Sequence, residues 1–167
     1  MYIITVNRLY ETITESTVKW MMPVLEAIKP GSTINFKLIS KGGIRSNHEP
    51  ILKKIDDLRY IHNCHLIAEG IKFYSAAFLL FIKCNERIII PESTGMIHLP
   101  EFSKRELAYN KEMGKVKDKM QQESAELISR YTDFTVKQVY QNDCKPFNAG
   151  QLLKWKVADK AASFFTY

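Results

Sequence analysis

Cysteine is scarce: Cys64, Cys84 and Cys144 are the three in 167 residues. They are too scattered for a disulfide framework and lack the paired C-x-x-C spacing of structural zinc. Reduced, mostly buried thiols are expected. The run His62-Asn63-Cys64-His65 has metal-binding residue types. At the end of a helix and the start of an apolar strand, however, its side chains diverge, so no metal and no cofactor is expected. No apolar run approaches the roughly 20 residues that span a bilayer, which excludes a helical membrane protein. The opening MYIITVNRLY has no basic region leading into a long apolar one, so a cytoplasmic location is expected. Charge of one sign is also modest, with 24 basic against 18 acidic residues and a net charge of +6. The bases alternate with acids along helical stretches and form no stripe with aromatics, so neither a nucleic-acid nor a membrane partner is expected. Internal repeats, linkers and low-complexity segments are lacking too, and one domain over residues 1–167 is the expectation.

What the sequence does carry is an alternation of strand and helix signals. An opening strand, Tyr2 to Val6, precedes a helix that Thr14 can cap, with Val18, Met21, Met22, Leu25 and Ile28 on its apolar face. Pro30-Gly31 ends it. Ile34 to Ile39 alternates as a strand and stops at the turn Ser40-Lys41-Gly42-Gly43. Ser46 or Asn47 can cap a second helix with the apolar face Ile51, Ile55, Leu58 and Ile61. A short strand, His65 to Ala68, should follow, then a buried helix over Phe73 to Ile82 and short strands at Arg87 to Ile90 and Met96 to Ile97, around Pro91. From Ser103 to Tyr131 the chain is charged, free of proline and broken only by Gly114. A helix of that length reaches about 40 Å and should project or pack on a partner. A helix from Thr135 and another capped by Asn148 complete an α/β pattern.

Three features converge on acyl transfer. Gly42 and Gly43 follow a strand, where glycine lets backbone amides face a cleft. Ser75 stands at the start of a buried helix, with helix amides behind it, although a serine there also reads as an N-cap. His98 ends a later strand, where it can take a proton from a hydroxyl nucleophile.

At Phe78-Leu79-Leu80, Pro91 and Met96-Ile97-His98-Leu99-Pro100 the sequence resembles the proteolytic subunit of the Clp protease (ClpP) and its shorter phage-type relatives. Ile39-Ser40-Lys41-Gly42-Gly43 matches the family's oxyanion turn, Gly70 to Ala77 its nucleophile segment, and Met96 to Pro100 its base. Pro146-Phe147-Asn148-Ala149, Leu152 and Val157-Ala158-Asp159 are similar to its closing segment. The resemblance runs from Ile3 to Lys160. It implies the ClpP and crotonase type of α/β spiral, with short strands, flanking helices and a long handle helix from Glu106 to Tyr131. It also implies a homo-oligomeric ring, a peptide or unfolded-protein substrate and an ATPase partner of unspecified identity.

The function implied is that of a serine-type endopeptidase with Ser75 as nucleophile, His98 as base, Asp143 as orienting acid, and Gly42, Gly43 and Ala76 around the oxyanion. The alignment leaves alternatives. Without a gap after Gly70, Tyr74 falls in the nucleophile's place and the chain reads as a non-catalytic structural subunit; one extra residue there restores Ser75. The family's aspartate falls at Tyr140 or Asn142, and Asp143 is the carboxylate of that loop. The glycine-rich strand that follows the histidine in the family is missing, as Pro100-Glu101-Phe102 leads almost directly into the long helix.

Overall fold

In the computed structural model, which describes residues 12–103, 107–108 and 112–163, short strands and helices alternate along the chain. The expected strand Tyr2 to Val6 lies outside the described residues. The elements are β1 (Thr12–Ile13), α1 (Glu15–Glu26), β2 (Thr33–Ser40), β3 (Gly42–Gly43), α2 (Arg45–Asp56), β4 (His65–Tyr74), α3 (Ala76–Lys83), β5 (Glu86–Met96), α4 (Glu112–Tyr131), α5 (Val136–Gln141), β6 (Pro146–Asn148), α6 (Ala149–Lys154) and β7 (Lys160–Ala161). Among them no helix is long and apolar enough to cross a membrane.

β2, β4 and β5 lie side by side and parallel. β6 joins β5 antiparallel and β7 joins it parallel, while β1 and β3 form a separate parallel pair. In β2 the alternation Ile34, Phe36, Leu38 sends one face into the core, where all three are fully buried. Phe73 stacks on Phe81 with ring centroids 4.1 Å apart, and each fully buried phenylalanine contributes about 2–3 kcal/mol. Thr14 caps α1 through a capping box with Thr17, Thr135 caps α5 with Gln138 and Asn148 caps α6 with Gln151. Each satisfies amides that the first helical turn leaves unpaired.

Several expectations need correction. The N-cap of α2 is Ile44, without a side-chain bond; Asn47 instead reaches across to the carbonyl of Ile13 at 3.4 Å, tying β1 to α2. Ile61 is 72% exposed rather than on the apolar face, because a π-helical turn over Asp57–Ile61 breaks the 3.6-residue phase. The strand expected to stop at Ala68 continues to Tyr74, since a continuous apolar run does not by itself distinguish strand from helix. The two strands expected around Pro91 are one, Glu86–Met96, with residues 90–93 out of register. Ser93 closes that excursion, its Oγ donating to the Gly70 carbonyl (2.7 Å) and accepting from the Ile90 amide (2.8 Å). Pro91, which cannot donate to a ladder, sits where no ladder bond is needed.

The long helix does not simply project. Ala125 and Ile128 of α4 are buried in the chain's own core, and Gln121 Nε2 donates to the Pro100 carbonyl at 2.9 Å. Leu107 and Ala108 are helical as well; the rest of the expected stretch between Lys104 and Lys111 lies outside the described residues.

Candidate active site

Parallel strands bring their carboxyl ends to one edge of a sheet, and α/β sites collect there. Ser40 pairs with Phe73 and Tyr74 with Met96, so the turns after β2, β4 and β5 are level. Gly43, Ser75 and His98 therefore border one cleft although they are far apart in sequence.

The position of Ser75 depends on a bulge. Leu38 pairs with Gly70, but the next partner of β4 is Lys72, so Ile71 is an extra residue in the strand. An inserted residue reverses the facing of every side chain after it. Beyond the bulge Phe73 is buried and lies over Gly70, where a Cβ would come within 2.5 Å of its ring. Tyr74, next along, is turned to the sheet's other side: its hydroxyl is 3.1 Å from Thr94 Oγ1 and Lys72 Nζ lies over its ring. Ser75 then takes the strand-to-helix turn.

That turn is strained. Ser75 has φ 54° and ψ −121°, a region that non-glycine residues visit at a cost of about 1–3 kcal/mol. An N-cap serine has extended backbone angles and accepts an amide of the first turn; Ser75 has neither the angles nor the bond. Its amide donates to the Met96 carbonyl at 3.0 Å, fixing the turn two residues ahead of His98. Gly42, with φ +88°, packs beneath it, and a Cβ there would lie 2.6 Å from Ser75 Cβ and 2.8 Å from the Ala76 nitrogen. The expectation that Gly42 offers an oxyanion amide is corrected, because its N–H donates to Ser40 Oγ at 3.1 Å. Its part is steric.

A cleft of about 780 Å³ is bordered by Gly43, Ser75, Ala76 and His98, with α2 and α4 as walls. Ala76 opens α3, so its amide belongs to the unpaired first turn of that helix. His98 stands between two buried anchors, Ile97 and Leu99. The loop after α5 clamps both: the Cys144 amide donates to the Ile97 carbonyl (2.8 Å), and Asp143 Oδ1 accepts the Leu99 amide (2.9 Å). Asp143 thus holds the backbone beside His98, and among the described residues no hydrogen bond or ion pair joins it to the ring. Among the described residues Ser75 and His98 share a cleft but no hydrogen bond.

The other positions considered for the acid point elsewhere. Asn142 Nδ2 donates back to the Gln138 carbonyl at 2.8 Å. The Tyr140 hydroxyl faces Gln122 Oε1 on α4 at 3.4 Å.

Sequence reading missed several cleft residues. Glu101 Oε2 lies 3.8 Å from His98 Nε2. Arg45 bridges the walls, pairing with Glu49 on its own helix (3.3 Å) and Glu123 on α4 (3.2 Å). Lys83, buried, donates to both oxygens of Asp56. His48 Nδ1 is 3.0 Å from the Ile44 carbonyl; a carbonyl only accepts, so Nδ1 carries the proton. Burial lowers the titration of His48 below its ordinary value, against its bonds to the Ile44 and Gly43 carbonyls. No sequence motif marks these residues, apart from the closeness of Glu101 to His98 along the chain.

The thiols differ from one another. Cys64 and Cys84 are buried and Cys144 is exposed, and burial pushes Cys84 up to about 12. His65 Nε2 lies 2.9 Å from Glu86 Oε1, and among the described residues no group of three or more His, Cys, Asp or Glu side chains is placed to hold a metal ion.

Among solved structures the chain is similar to a point mutant of ClpP1 from Listeria monocytogenes, with a TM-score of 0.76 and 16% identity over 97% of this chain and 91% of that one. The mixed α/β fold is therefore ClpP-like. No curated protein sequence matches. The family model described as Clp protease matches residues 1–145, and the chain belongs to that family.

Proposed function

We propose that this protein is a ClpP-like serine peptidase that hydrolyses peptide bonds. The observation that carries the reading is the backbone of Ser75: a strained turn, φ 54° and ψ −121°, with no cap bond, opening on the cleft that His98 borders. The Ser75 backbone serves the turn while its hydroxyl caps nothing, and strain persists where the surrounding structure imposes it. The bulge at Ile71 supports the register in which Ser75, not Tyr74, stands at the nucleophile's place.

In this reading Ser75 Oγ attacks the scissile carbonyl as its proton passes to His98. The carbonyl oxygen, now negative, is received by the amides of Gly43 and Ala76, whose value lies in being oriented before charge develops. His98 returns the proton to the departing amine as the C–N bond breaks, and water then cleaves the acyl-enzyme by the same steps in reverse order. Asp143 fixes the segment that carries His98. The substrate is a peptide or an unfolded protein.

The missing Ser75–His98 bond favours a second reading, a ClpP-like subunit with a structural part in an assembly and no activity of its own. Catalytic bonds are often long in unliganded sites and tighten with substrate, so the two readings are separated by reactivity. A fluorophosphonate probe labels an activated serine and ignores a passive one. Labelling of the wild type that is lost in both Ser75→Ala and His98→Ala is the result expected of the peptidase; an unlabelled, well-folded and correctly assembled sample supports the structural subunit.

A further inference from the structure

The imidazole of a catalytic histidine needs two different partners. One nitrogen must keep a free lone pair for the nucleophile's proton, and the other must donate its N–H to an acceptor that fixes the ring. Asp143, the acid expected from the sequence, has Oδ1 on the Leu99 amide at 2.9 Å, and Asn142 donates to Gln138. Among the described residues the carboxylate at ion-pairing distance from the ring is Glu101, its Oε2 3.8 Å from Nε2. Both residues border the cleft with Ser75. The loop that carries Glu101 is held from outside, because Gln121 of α4 donates to the carbonyl of Pro100 at 2.9 Å.

We propose that Glu101 is a positioning residue of this site, holding the ring of His98 through Nε2 while Asp143 holds the neighbouring backbone. The proposal rests on the peptidase reading. At 3.8 Å Glu101 is within ion-pairing rather than hydrogen-bonding distance of Nε2; turning Nε2–H toward it leaves Nδ1 as the base. The Ser75 proton moves to Nδ1 as the Oγ–carbonyl bond forms and leaves with the amine as the C–N bond breaks. Glu101 stays ionised throughout and stabilises the imidazolium between those events. Other charged groups line the same cleft: Arg45, His48, Glu49, Lys53 and Asp56 from α2, Lys83 from α3 and Glu123 from α4, while Asp143 and Cys144 lie beside it in the loop after α5. Arg45 is paired with Glu49 and Glu123 and Lys83 with Asp56, and among the described residues the carboxylate within 4 Å of the His98 ring is that of Glu101.

The test uses the intact chain and the rate of fluorophosphonate labelling as a function of pH. Glu101→Gln keeps the side chain's size and removes its charge. It should slow labelling at neutral pH by about tenfold, a modest loss because the pair is open to water. It should also move the acid limb of the pH–rate profile to lower pH without changing thermal unfolding. Glu101→Asp should recover part of the rate, a rescue that a packing role does not explain. Asp143→Asn, which retains an oxygen for the Leu99 amide, should move the acid limb less than Glu101→Gln does. Wild-type rate and profile in Glu101→Gln, or a larger shift of the limb in Asp143→Asn, overturn the assignment of Glu101 alone. A wild type that never labels overturns the peptidase reading and this assignment with it.

Discussion

The backbone at Ser75 opposes stability. Its angles, φ 54° and ψ −121°, suit glycine far better than serine. Ser75→Gly should therefore raise the unfolding free energy by roughly 1 kcal/mol while abolishing probe labelling; Ser75→Ala keeps the strain and should abolish labelling without that gain. Denaturant titrations of the three proteins measure this, and a Ser75→Gly variant less stable than wild type would show that the turn is not strained. His48 gives the second residue-scale prediction. Burial lowers its titration below the ordinary 6.5, so the unfolded chain binds the proton more readily than the folded one. The contribution is intact above about pH 6.5 and is lost as pH falls from there through the folded value. His48→Gln should flatten the fall in melting temperature below pH 6.5. An unchanged slope would mean that His48 is not the group responsible.

At the scale of elements, α4 carries Gly114, where an added Cβ would meet nothing within 4 Å. Glycine in an exposed helix costs about 1 kcal/mol relative to alanine, so Gly114→Ala should stabilise the chain by about 0.5–1 kcal/mol in equilibrium unfolding; destabilisation would show that another surface closes on this turn. Elements with one clear local signal were legible in the sequence. β2 announces itself because its alternate residues are buried, and α1, α5 and α6 because their caps are encoded within three residues. The end of β4 was not legible, since the bulge at Ile71 resets its alternation and the apolar run passes unbroken into α3. The excursion around Pro91 was hidden for a related reason: Ser93, far from Gly70 in sequence, closes it. That Gly43, Ser75 and His98 border one cleft was legible through their order along the chain. The bonds that place Asp143, Asn142 and Glu101 were not, because they depend on how loops from separate elements meet.

For the molecule as a whole, part of the apolar side of α4 is covered by the chain itself. Ile128 is buried, and Met120 and Leu127 border the cleft, while Val116 stays 43% exposed. Val116 is the exposed apolar residue of this helix, and packing it on a second copy would take it out of water. Light scattering at micromolar concentration should report an oligomer that Val116→Asp weakens; a wild-type monomer would remove α4 as an assembly element. The central claim concerns Ser75, and mass spectrometry tests it most directly. The folded protein is treated with a small fluorophosphonate, digested and mapped. One adduct per chain on Ser75, absent from His98→Ala, is the predicted result; an unmodified Ser75 in folded, assembled protein, or an adduct on Tyr74 instead, would contradict it.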